Sequence, residues 1–117
     1  MAGLTTHILD IAHGKPAEGI RVQLFRIDGD KRDPVRELHT NADGRTDQPM
    51  LTPQETQSGT YELLFHVGAY FAASGLAHKT EPFLDLVPVR FAIADTDRHY
   101  HVPLLVAPWS YTTYRGS

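Results

Sequence analysis

A chain of 117 residues with no cysteine excludes disulfides and thiolate metal sites, and its length suits one domain, residues 1–117, burying roughly two-thirds of its unfolded surface. Eleven basic against fourteen acidic residues, a formal net charge of −3 and no basic run argue against a nucleic-acid partner. No apolar run approaches the roughly 18–20 residues of a membrane span, and Met1 to His7 lacks both a charged n-region and an h-region, so a soluble cytoplasmic protein without a signal peptide is expected.

Leu4 to Asp10 alternates as a strand, with Leu4, Thr6 and Ile8 on one face and Thr5, His7 and Leu9 on the other. It ends in the polar turn around His13-Gly14-Lys15-Pro16. Ile20 to Ile27 is a second strand, with Ile20, Val22 and Leu24 inward and Phe25 on the outward side. A turn at Asp28 to Lys31 leads to a weaker, more polar strand from Val35 to Thr40, of the kind found at a sheet edge. Asn41-Ala42-Asp43-Gly44 is a strong turn signal that delivers Arg45 just after the glycine.

A loop from Gln48 to Gly59 precedes a strand from Thr60 to Val67. Ala69 to Ser74 favours a short helix stopped by Gly75. Pro82 to Pro88 reads as loop, and Val89, Phe91 and Ile93 as the inner face of a further strand. Two strands close the chain, His99 to Ala107 and Trp109 to Arg115, separated by Pro108. Seven or eight short strands and one brief helix predict an all-β fold, an antiparallel β-sandwich.

The last two strands carry the most informative residues. Tyr100, Val102, Leu104 and Val106 form a core face. His99, His101, Pro103, Leu105 and Ala107 form a second face, too apolar for open water and too polar for a dry core. His99-x-His101 could present two imidazoles to zinc. Spacing assigns no further ligand, so chance alternation is the better reading and no metal is expected. His13, His39, His66 and His78 read as solvated surface histidines.

His7 and His101 differ, because each lies on a non-core face beside apolar neighbours. Either is a general-base candidate near neutral pH, or an interface histidine with a hydrogen-bonding role only. Arg45 is a solvated loop residue or a fixed cationic fork for a carbonyl or oxyanion. The C-terminal Tyr114-Arg115-Gly116-Ser117 continues directly from a strand, and offers a phenol, a guanidinium, a hydroxyl and a carboxylate at one spot. No Gly-rich phosphate loop or G-x-S-x-G elbow is present, which argues against a covalent serine hydrolase.

Leu4 to Asp10, Asp43-Gly44-Arg45-Thr46-Asp47, His101-Val102-Pro103-Leu104-Leu105 and the run Tyr111 to Ser117 together resemble the 5-hydroxyisourate hydrolases, transthyretin-like enzymes of urate breakdown. The likeness runs the whole chain. The terminal Tyr-Arg-Gly-Ser separates these hydrolases from transthyretin itself. The resemblance implies a transthyretin-like sandwich of two four-stranded sheets with one short helix. It also implies a homotetramer with sites at the dimer–dimer interface, and hydrolysis of a small cyclic ureide without metal or other cofactor. By the same resemblance, His7, Arg45, His101 and Ser117 are catalytic, and His7, Arg45, Tyr114, Arg115 and Gly116 bind substrate. Thr112 stands where serine is frequent, and Val106-Ala107-Pro108 where Leu-Ser-Pro is common; neither is a functional position. The alternative is a transthyretin-like carrier of a planar aromatic ligand, which needs neither the histidines nor the Tyr-Arg-Gly-Ser end. An adhesion or scaffolding sandwich would lack convergent His and Arg altogether.

Overall fold

A computed structural model describes residues 2–75 and 82–117; His78 lies outside the described residues. In chain order the elements are β1 (Gly3–Asp10), β2 (Lys15–Pro16), β3 (Arg21–Asp28), β4 (Lys31–His39), β5 (Gly59–His66), α1 (Val67–Ser74), β6 (Leu86–Ile93), β7 (His99–Ala107) and β8 (Ser110–Thr113). A 3-10 turn at Pro53–Glu55, capped by Thr52, sits in the loop between β4 and β5. The strands form two four-stranded sheets, ordered β2-β1-β7-β8 and β4-β3-β5-β6. Among the described residues no helix is long and apolar enough to cross a membrane.

The sheets are antiparallel-rich, but β1 and β7 run parallel, the one parallel pair among the named strands. β2 lies in what reads as a pure turn, where the chain folds back to pair Leu9 with Pro16 and Asp10 with Lys15. β4 begins at Lys31, earlier than the Val35 start read from the sequence. Pro34 ended the sequence pattern, yet an edge strand tolerates a residue with no N–H. Pro88 sits within β6 for the same reason, at the other edge of that sheet.

Alternation decides what lies between the sheets. Leu4 and Ile8 from β1, Leu104 and Val106 from β7, Val22 and Leu24 from β3, and Leu63 and Phe65 from β5 are buried in one apolar cluster, joined by Phe71 of α1. Thr6 is a polar residue on the inner face of β1; its hydroxyl donates to the Val102 carbonyl at 2.7 Å and ties β1 to β7. Phe25 turned outward yet is buried, because the Arg32 guanidinium lies 4.4 Å from its ring centre.

Asp10 closes β1 with a carboxylate that is fully buried. It accepts from the Ala12 and His13 backbone N–H groups, from His13 Nδ1 at 2.6 Å and from the Tyr70 hydroxyl at 2.7 Å. Burial opposes its ionisation, but the Tyr70 and His13 hydrogen bonds hold the carboxyl below its ordinary value. This network pins α1 to the end of β1. His13 is therefore an anchored side chain, and His66 likewise bonds Gln23 at 2.7 Å; His39 is exposed, as read.

Candidate active site

The outer face of the β1–β7 pair carries the candidate residues. The parallel register sets Thr5 opposite His101 and His7 opposite Pro103. His7 and His101 are therefore diagonal neighbours on one face, with Cα atoms roughly 8 Å apart by strand geometry. Both are half-buried, as are Leu9 and Leu105 beside them. Pro103 and Ala107, expected on this outer face, are instead buried. For Pro103 the cover is the C-terminal tail, described below.

Arg45 reaches the same face through an isolated bridge between Arg45 and His7. The loop that delivers it is built from Asn41. The Asn41 Oδ1 accepts from the Asp43 and Arg45 N–H groups, its Nδ2 donates to Asp47, and its own N–H donates to the Arg45 carbonyl at 2.7 Å. Gly44 then presses against β1, its carbonyl accepting from Ile8 N–H at 2.8 Å. Gly44 has φ +75°, and a Cβ there would run into the Ile8 carbonyl oxygen and sit 3.2 Å from Pro16 Cβ. Gly44→Ala should cost about 1–3 kcal/mol and displace Arg45, lowering both the melting temperature and turnover. Unchanged melting and activity would show that the loop does not hold Arg45 in place.

Charge across this face favours neutral imidazoles. Burial and the Arg45 charge both lower the pKa of His7, against a smaller opposing effect of the Asp43 backbone. Burial, Arg45, His7 and His99 together lower that of His101, against a smaller opposing effect of the Thr5 backbone. A neutral imidazole can accept a proton from water near pH 7, so the electrostatics suit a base.

The tail continues the β8 register. Leu104 pairs with Thr113, and the same alignment brings His101 opposite Gly116, whose N–H donates to the His101 carbonyl at 2.8 Å. Between them Tyr114 falls opposite Pro103, which has no N–H to give, so β8 ends at Thr113, two residues short of the sequence reading. A Cβ on Gly116 would lie 2.7 Å from His101 Cδ2 and 3.4 Å from Pro103 Cγ. Glycine alone lets the tail lie against the histidine ring. Tyr114 is exposed, Arg115 stacks its guanidinium 4.2 Å from the centre of the Tyr100 ring, and Ser117 shares a recess of about 380 Å³ with His99 and Arg115. Tyr100 belongs to the core face of β7, so Arg115 turns away from His101 within one chain. Thus the structure gathers His7, Arg45, His101 and Gly116, leaves Tyr114 and Ser117 at the rim, and turns Arg115 aside.

One participant escaped the sequence reading. Thr5 Oγ1 lies 2.8 Å from His101 Nδ1 and 2.9 Å from His99 Nε2. Its place on the outer face with His7 was legible, but the parallel β1–β7 register that brings it to His101 was not. Among the described residues no group of three or more His, Asp or Glu side chains is arranged to hold a metal ion.

Two four-stranded sheets in this order, with histidines and an arginine gathered on the outer face of one of them, define a transthyretin-like sandwich equipped with proton-transfer groups. The chain belongs to the HIUase/Transthyretin family, whose model matches residues 4–116. The 5-hydroxyisourate hydrolase of Deinococcus radiodurans is 58% identical over 115 residues, covering 98% of this chain and 96% of the relative. The solved 5-hydroxyisourate hydrolase of Klebsiella pneumoniae superposes with a TM-score of 0.82 at 38% identity over the full length of both chains. A crystal structure of (S)-allantoin synthase matches with a TM-score of 0.91 at 47% identity; the match covers 98% of this chain but 43% of that one.

Proposed function

We propose that this protein is a 5-hydroxyisourate hydrolase, converting 5-hydroxyisourate to 2-oxo-4-hydroxy-4-carboxy-5-ureidoimidazoline in urate degradation. The observation that carries this reading is the convergence of His7, Arg45 and His101 on one sheet face in a chain with full-length relatives named for that activity. Water, deprotonated by His7 or His101, attacks the ring carbonyl between the pyrimidine nitrogen and the bridgehead carbon. Arg45 stabilises the tetrahedral oxyanion. The ring C–N bond then breaks, the carbonyl carbon becomes a carboxylate and the nitrogen takes a proton to become the ureide.

Residues 1–117 act as one domain in the cytoplasm on a small-molecule substrate, a setting that the cysteine-free composition supports. Four copies assemble with their sites at the dimer–dimer interface. The half-buried Leu9 and Leu105 beside the histidines support this, because a facing copy would cover them. Tyr114 and Ser117, at the rim of the site, close it and hold the ureide by hydrogen bonds. The carrier alternative leaves the neutral imidazoles and the Arg45 loop without a use. Urate oxidase acting on urate supplies hydroxyisourate in situ, and its ultraviolet decay should be accelerated by the protein in proportion to protein added. Decay at the spontaneous rate at every concentration would refute the assignment.

A further inference from the structure

Two imidazoles on β7 converge on a single hydroxyl from β1. The register that sets Thr5 opposite His101 sets Gly3 opposite His99, so the Thr5 side chain stands between the two rings. Its Oγ1 is within hydrogen-bond distance of both, 2.8 Å from His101 Nδ1 and 2.9 Å from His99 Nε2. A hydroxyl carries one proton, so it donates to one ring and accepts from the other. Two arrangements satisfy both bonds. In the first, His101 Nδ1–H donates to Thr5, Thr5 donates to His99 Nε2, and His101 Nε2 keeps a free lone pair. In the second, Thr5 donates to His101 Nδ1, and the His101 proton sits on Nε2, where it blocks proton uptake from water.

We propose that Thr5 and His99 are positioning residues that hold His101 as the Nδ1-protonated tautomer and relay its proton outward when it acts as the base. This deepens the hydrolase reading and rests on it. As His101 Nε2 takes a proton from the attacking water, its Nδ1 proton passes to Thr5 Oγ1 and the Thr5 proton passes to His99 Nε2. One proton has entered at His101 and one has arrived at His99, so His101 stays neutral and His99 becomes the imidazolium. When the ring C–N bond breaks, Nε2–H protonates the leaving nitrogen while the relay runs backward, which restores the starting tautomer.

The surroundings of the two rings give the relay its direction. Charge on His101 is opposed by burial, Arg45, His7 and His99. His99 is exposed, at a recess it shares with Asp97, Arg98, Arg115, Gly116 and Ser117, where solvent can hydrate a cation. The relay therefore moves positive charge away from Arg45, leaving that arginine free to face the oxyanion.

Thr5→Val keeps the side-chain shape and removes the hydroxyl; Thr5→Ser keeps the hydroxyl. Thr5→Val should lower kcat by about 10–100-fold, a part of the ~10²–10⁴ that a general base supplies, with KM within about twofold. Thr5→Ser should recover most of the rate. In ¹⁵N-histidine-labelled protein at pH 7.5, His101 should show a protonated Nδ1 and bare Nε2 in the wild type, and should shift toward protonated Nε2 in Thr5→Val. Wild-type kcat with an unchanged ¹⁵N pattern in Thr5→Val would overturn the proposal. So would a Thr5→Ser variant no better than Thr5→Val, which would point to side-chain volume. The ¹⁵N measurement needs no substrate, so a wild-type protein inactive on hydroxyisourate would sink the hydrolase reading and leave the tautomer result standing by itself.

Discussion

Replacing His101 with asparagine should lower hydroxyisourate turnover by about 10²–10⁴-fold, and replacing His7 should do the same, with the sandwich intact in both variants. Neither side chain belongs to the apolar cluster between the sheets; both are half-buried on the outer face of β1 and β7. Asparagine keeps a polar group of similar reach there but cannot take a proton from water. Circular dichroism and sedimentation should match the wild type, so the loss is chemical. If both variants turn over at near wild-type rates, histidine has no part in the mechanism. A strict loss of wild-type activity on adding chelators would instead revive the two-histidine metal site.

Deleting Tyr114 to Ser117 should abolish hydrolysis while the fold survives. Four residues leave, and with them the Gly116 N–H bond to His101, the cover over Pro103 and the stacking of Arg115 on Tyr100. Those losses amount to about one hydrogen bond and one cation–π contact, on the order of 1–3 kcal/mol together, against a core that the deletion does not touch. The melting transition should fall by a few degrees and remain cooperative. Because the chain end lies in the recess beside His99, a tag fused after Ser117 should impair the enzyme more than one fused before Met1. Normal turnover in the truncated protein would make the tail ordinary surface.

Period-2 alternation made much of this legible. The inner faces of β1, β3, β5 and β7 were readable because Leu4, Val22, Leu63 and Leu104 each occupy alternate positions in runs bounded by turn residues. Helix α1 and its stop at Gly75 were readable from small apolar residues before a glycine. His7, His101 and Arg45 were visible as polar residues in the wrong company or after a turn. Strand pairing was not, because alternation says which face a residue takes and nothing about which strand lies beside it. The parallel pairing of β1 with β7, across about ninety residues of chain, therefore stayed hidden, and Thr5 with it. The Asp10, His13 and Tyr70 network was hidden for a related reason: a buried carboxylate is legible only once its donors from two other elements are placed. Arg115 looked like a partner of the tail's other groups, but in the continued register it falls on the opposite face from Gly116.

The most direct test of the account is the pH dependence of kcat/KM for hydroxyisourate generated by urate oxidase, in the wild type and in Arg45→Gln. In the proposed mechanism the neutral imidazole is the active form, and burial together with Arg45 lowers the pKa of both His7 and His101 from 6.5. The acid limb of the wild-type profile should therefore have its midpoint below 6.5, the ordinary histidine value. Arg45→Gln should be slower throughout, and its acid limb should move to higher pH as the neighbouring positive charge is removed. A rate independent of pH between 5 and 8, or an acid limb that stays in place when Arg45 is replaced, would contradict a site in which these three side chains work on one substrate.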